Sequence, residues 1–168
     1  PDEAAKSLHF TPSQADEFEL GLYYEKLDQR DSAIRHYKQA LAASPNHPQA
    51  NFRLGLMYLR AADYAQSAAH LRAAIDGQVD EAKYYLAFIE TQQGQIELAL
   101  HDLQSLDPAS PLFYPAQICL AGNELRNQRF SQAIASLDHL QETHTYPAIL
   151  QTLLGIAYRK SGEDEKAS

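Results

Sequence analysis

Seven histidines and one cysteine carry most of the chemistry that this 168-residue sequence could perform. Histidines hold zinc when two or more rings converge, and the usual sign in sequence is a His-Glu-x-x-His pair one helical turn apart. No such pair occurs. His36 and His70 lie 34 residues apart with His101 and His139 close to the same phase, while His139 and His144 are five residues apart across a helix end, a spacing that does not aim both rings at one ion. Repetition accounts for them. Cys119 would be a nucleophile only with a base beside it, and its sequence neighbours supply no such context. A small, half-buried groove residue is the expectation there. As the only cysteine, it provides neither an intrachain disulfide nor a cysteine metal site. Gly21, Gly55 and Gly155 stand singly inside helical stretches rather than in a glycine-rich loop after a strand, so no phosphate cradle is indicated. The residues therefore predict a chain that is not an enzyme and uses no cofactor or metal.

Composition narrows the classes further. Hydrophobic residues make up 45% and charged residues 21%, with 7 Gly and 8 Pro, which is the balance of a folded chain. The net charge of -8 argues against nucleic acid, because gripping a phosphate backbone needs surplus Lys and Arg on one face. No run of eighteen or more apolar residues occurs, and Pro1-Asp2-Glu3 has no basic, then apolar, export pattern, so no membrane insertion is predicted in this segment. Nothing in these features selects between a cytoplasmic and a periplasmic setting.

The elements that must position any site repeat. A small residue after Leu recurs at Leu20-Gly21, Leu54-Gly55, Leu86-Ala87, Leu120-Ala121 and Leu154-Gly155, in steps of 34, 32, 34 and 34 residues. A second small residue follows twelve positions later each time, at Ala33, Ser67, Ala99, Ala133 and Ala167. Helical periodicity joins the two landmarks and turn residues separate the units, so each unit is predicted to be two helices. The first helices are expected near 14–27, 48–60, 80–92, 113–127 and 147–160, and their partners near 31–43, 64–75, 96–106 and 130–142. Ser44-Pro45-Asn46-His47-Pro48 stops the second helix of the first unit. The small residues should lie where the two helices of a unit come closest, with Leu20, Tyr24, Leu54, Tyr58 and Leu154 filling the layers between helices.

Leu20-Gly21-x2-Tyr24, Ala33-x3-Tyr37, Ala40 and Pro45 together resemble the signature of the tetratricopeptide-repeat family. Leu54-Gly55-x2-Tyr58 with Ser67-x3-Leu71 and Ala74 repeats it, and Leu154-Gly155-x2-Tyr158 begins it again. The third and fourth units depart from it, with Glu90 and Glu124 at the tyrosine and Leu103 and Leu137 at the second aromatic. The family's early tryptophan is replaced throughout by Glu17, Asn51, Lys83, Gln117 and Gln151.

The resemblance implies an all-α fold, a right-handed superhelical solenoid of antiparallel helix pairs. Its repeats would fall at about 14–47, 48–79, 80–113, 114–147 and a partial 148–168, after a segment 1–13 that reads as the tail of a preceding second helix. Glu163–Ser168 reads as a second helix that has only begun, so both ends look cut and an open end could support self-association. In this family the first helix of each pair lines the inner face, which implies a groove for a peptide or protein ligand formed by Phe18, Leu22, Phe52, Arg53, Leu56, Arg60, Tyr84, Tyr85, Phe88, Arg126 and Arg159. Phe18, Phe52 and Tyr84 could equally pack as core, since aromatic stripes at helical spacing often do. The clamp that some family members use for chaperone tails is not matched, because Phe18 and Leu22 stand where its lysine and asparagine would be. The implied function is a protein-interaction scaffold or adaptor; the alternative is a partner-positioning segment of a larger enzyme or of a secretion or polysaccharide-export machine.

Overall fold

The computed structural model describes residues 14–143 and 148–162. The expected tail over 1–13, His144 and the partial helix over 163–168 lie outside the described residues, as does the His139 side chain. Among the described residues there are nine helices and no strand. They are α1 (Gln14–Lys26), α2 (Arg30–Ala43), α3 (Pro48–Arg60), α4 (Tyr64–Asp76), α5 (Ala82–Gln92), α6 (Ile96–Gln104), α7 (Phe113–Arg126), α8 (Phe130–Thr143) and α9 (Ala148–Ser161). The chain is an all-α helical-repeat solenoid of paired helices, divided into a compact unit over 1–79 and another over 80–168. The division falls at the 32-residue step, where α5 starts at Ala82 rather than at residue 80.

Within the first unit the two landmarks meet as their sizes require. A Cβ added to Gly55 would lie 2.8 Å from Leu71 Cγ, and one added to Gly21 would enter the Tyr37 ring. The Ser67 hydroxyl donates to the Gly55 carbonyl at 2.8 Å, tying α3 to α4 at the point of closest approach. Between α1, α2 and α3, Tyr24, Ala33, Tyr37, Leu54 and Met57 form one buried cluster. Dense interiors resist added volume, so these glycines act as spacers.

The family's missing tryptophan is replaced by polar pairing. Glu17 lies 2.8 Å from His36 Nδ1, and Asn51 Oδ1 lies 2.9 Å from His70 Nδ1. Each imidazole also stacks on the tyrosine of its own repeat, His36 on Tyr24 at 5.1 Å and His70 on Tyr58 at 5.6 Å, with nearly parallel planes. Burial, followed by the nearby Lys38 charge, holds the His70 imidazole below its ordinary pKa. The matching phase of His36 and His70 thus has a packing cause.

A third landmark is conformational. The residue that closes each first helix has positive φ at Asp28 (56°), Ala62 (58°), Gly94 (73°), Gln128 (60°) and Gly162 (86°), in steps of 34, 32, 34 and 34 residues. This left-handed corner lets the amide after the helix reach back, as Gln29 N does to the Tyr24 carbonyl at 2.9 Å and Asp63 N to the Tyr58 carbonyl at 3.0 Å. Asp63 then caps α4 through the Gln66 amide at 3.2 Å.

The second unit has two buried clusters. Ala87, Ala99, Leu100, Leu103, Leu106, Ala116 and Leu120 form one, and Ala121, Leu137, Leu140, Leu150 and Leu154 the other. The connection after α6 is longer than the others, because that helix ends at Gln104. Asp80 holds it through the Asp107 amide at 2.7 Å, and Lys83 through the Ser105 carbonyl at 2.9 Å.

Candidate protein-binding surface

The inner-face candidates of the first unit are largely committed to the fold. Phe18 packs on Tyr37 and His47, with ring centroids 5.7 and 4.9 Å apart, and Leu22 lies against the same buried cluster. Arg53 Nη1 is 3.4 Å from Glu25 Oε1, and Glu25 Oε2 accepts from the Tyr37 hydroxyl at 2.6 Å. Burial and this carboxylate push the Tyr37 hydroxyl pKa up. Phe52 and Leu56 are half-buried and Arg60 is exposed. Arg60 borders a small cavity of about 150 Å³ with Glu25, Asp28, Arg30 and Met57.

In the second unit the candidates converge. Tyr84 and Phe88 from α5, Cys119 and Arg126 from α7 and Leu153 from α9 line one cleft of about 460 Å³, floored by Ala87, Leu103, Gly122 and Asn123. Phe88 is 48% exposed and Ile149, on the same wall as Leu153, is 51% exposed. Tyr84 is fixed by an edge contact with Tyr85, at 5.3 Å and 81°, and by its place against the first buried cluster. Burial and the neighbouring Cys119 thiol push its hydroxyl pKa up to about 12. Cys119 itself is exposed rather than half-buried, with Sγ 3.9 Å from the Tyr84 hydroxyl. Arg159, on α9, is exposed and is not among the cleft-lining residues.

Two cleft residues were not singled out by sequence reasoning. Gly122 follows the small-residue landmark Ala121, which already supplies the close approach. A Cβ added to Gly122 would meet nothing within 4 Å, and its φ is not positive. A glycine inside a helix costs roughly 0.5–1 kcal/mol relative to alanine, and here neither contact nor backbone conformation requires it.

Asn123 is 4% exposed. Its Nδ2 donates to Thr91 Oγ1 at 3.2 Å, and that hydroxyl donates to the Ala87 carbonyl at 2.8 Å. The hydroxyl proton is therefore spent, so the amide nitrogen must face Thr91 and Oδ1 must face away. Oδ1 has no hydrogen-bond partner among the described residues. A glycine directly after the small-residue landmark Ala121 was the available signal for Gly122.

On α7, Glu124 is 3% exposed and accepts from the Ser136 hydroxyl of α8 at 3.2 Å. Burial pushes its carboxyl pKa up, against the opposing influences of Ser136 and Arg129. Among the described residues no group of three or more His, Cys, Asp or Glu side chains converges as a metal site, and no helix is long and apolar enough to cross a membrane.

A tetratricopeptide-repeat family model matches residues 18–82, and the landmarks continue in phase beyond it. Residues 18–82 are tetratricopeptide repeats. No curated protein sequence matches it. Among solved structures, this tetratricopeptide-repeat chain is similar to MamA, at 20% identity and a TM-score of 0.80, over 92% of this chain and 85% of that one. It is similar to YrrB, described as a TPR protein with an unusual peptide-binding site, at 16% identity and a TM-score of 0.80, over 98% and 85% of the two chains. The type IV pilus biogenesis factor PilW is 23% identical with a TM-score of 0.72, over 98% and 77%. At these identities the likeness is one of fold.

Proposed function

We propose that this tetratricopeptide-repeat chain is a non-catalytic scaffold that holds a peptide or helix of a partner protein against the inner face of its first helices. The carrying observation is the cleft of the second unit, where the groove candidates Tyr84 and Phe88 from α5 and Cys119 and Arg126 from α7 line one mostly apolar surface with Ile149 and Leu153 from α9. Such surfaces bind by burying side chains of the ligand in series, and aromatic and arginine positions dominate the energy. The peptide-binding site named for YrrB supports the reading by likeness of fold. The pilus biogenesis role named for PilW favours the second reading, in which the same surface positions a partner inside a larger machine.

Changing Phe88 and Arg126, both exposed in the cleft lining, together to Ala should abolish capture of a partner held by the unchanged protein, while helicity and melting temperature stay close to the original. Undiminished capture by that variant would sink the proposal. Self-association is a separate expectation, tested by sedimentation at two concentrations, where an unchanging monomer mass would remove it.

A further inference from the structure

We propose that the cleft of the second unit is an anchor pocket that accepts one bulky apolar side chain of a partner segment carrying an Asp or Glu near that anchor. The inference rests on the scaffold reading and says what the partner must look like at this one place.

Gly122 is one of the cleft-lining residues, and a Cβ there would meet nothing within 4 Å, so a larger side chain at this position adds bulk at the cleft without a clash in the fold. The cleft's volume, about 460 Å³, lies within the span of roughly 300–1,000 Å³ common for ligand sites. Its walls include Phe88 and Ile149, large apolar side chains that are about half exposed. An incoming apolar side chain would cover both.

One polar group sets the rest of the ligand's chemistry. Among the described residues Arg126 is the only charged one lining the cleft, in a chain whose net charge is -8. It is exposed and forms no ion pair among the described residues, so a carboxylate close to the anchor would complement it, whereas a cationic segment would meet repulsion at that rim.

A random dodecapeptide display library, selected on the full chain and on Gly122→Leu and Arg126→Glu variants, tests this. Peptides enriched on the unchanged protein should share one Leu, Ile, Met or Phe with an acidic residue close by. Gly122→Leu should bind them at least tenfold more weakly while melting no lower than the unchanged protein, and Arg126→Glu should lose the acidic preference. Enriched peptides that bind Gly122→Leu as well as the original, or that lack the apolar-acidic pairing, overturn the anchor pocket and leave the wider scaffold reading standing. If no peptide is enriched on the unchanged protein, both readings fall.

Discussion

The same helical repeat is put to opposite uses in the two units. In the first, Gly21 and Gly55 are small because Tyr37 and Leu71 occupy the space beside them, and Arg53 is tied to Glu25. In the second, Ala87 and Ala121 hold that landmark in the third and fourth repeats, and Gly122 faces open space. The first also stacks Tyr24 and Tyr58 on histidines, where the second buries Glu90 and Glu124. Identical residue types therefore do not imply identical roles, and the neighbour across the helix pair decides.

The strongest way to break this comparison is to enlarge glycines from both units. Gly55→Leu should cost about 3 kcal/mol or more, the upper range for overpacking a core, and should lower the melting temperature sharply. Gly122→Leu should leave it unchanged or slightly raised. Equal effects from the two substitutions, read by thermal circular dichroism, would remove the distinction.

The buried carboxylate sharpens it next. Because Glu124 holds its proton more tightly in the folded state, its contribution to stability is fullest below the ordinary carboxylate pKa and is lost as pH rises through the raised folded value. Glu124→Gln should raise the melting temperature at pH 7.5 and have little effect near pH 3.5. A gain that is independent of pH would show that Glu124 is not held protonated by burial.

The smallest expected effect lies at the corners. Ala62 adopts φ 58°, a conformation that costs an L-residue roughly 1 kcal/mol, whereas Gly94 occupies the equivalent place without that cost. Ala62→Gly should stabilise the first unit by about 0.5 kcal/mol in urea denaturation, and Gly94→Ala should destabilise the second by a similar amount.

The pairing of helices was legible in the sequence because the two small-residue landmarks keep one phase, and helix–helix contact restricts side-chain size at those positions. The left-handed corners were hidden, since Asp28, Ala62 and Gln128 carry no glycine to mark them. The exchange of the family's tryptophan for Glu17–His36 and Asn51–His70 pairs was hidden for another reason. Its partners are 19 residues apart and meet only once both helices are in place. Of the groove candidates, Tyr84, Phe88 and Arg126 do line one cleft, whereas Phe18 and Leu22 turn toward the core because Tyr37 and its neighbours give them more apolar surface to cover.

Cys119 stands on the wall of that cleft, exposed, and no other position in the chain has a thiol. A maleimide fluorophore or spin label would therefore attach at one site without prior mutagenesis, beside Tyr84 and within the same lining as Phe88 and Arg126. The molecule thus carries its own reporter: quenching or immobilisation of the label would register a segment entering the second unit and stay silent for one held only by the first.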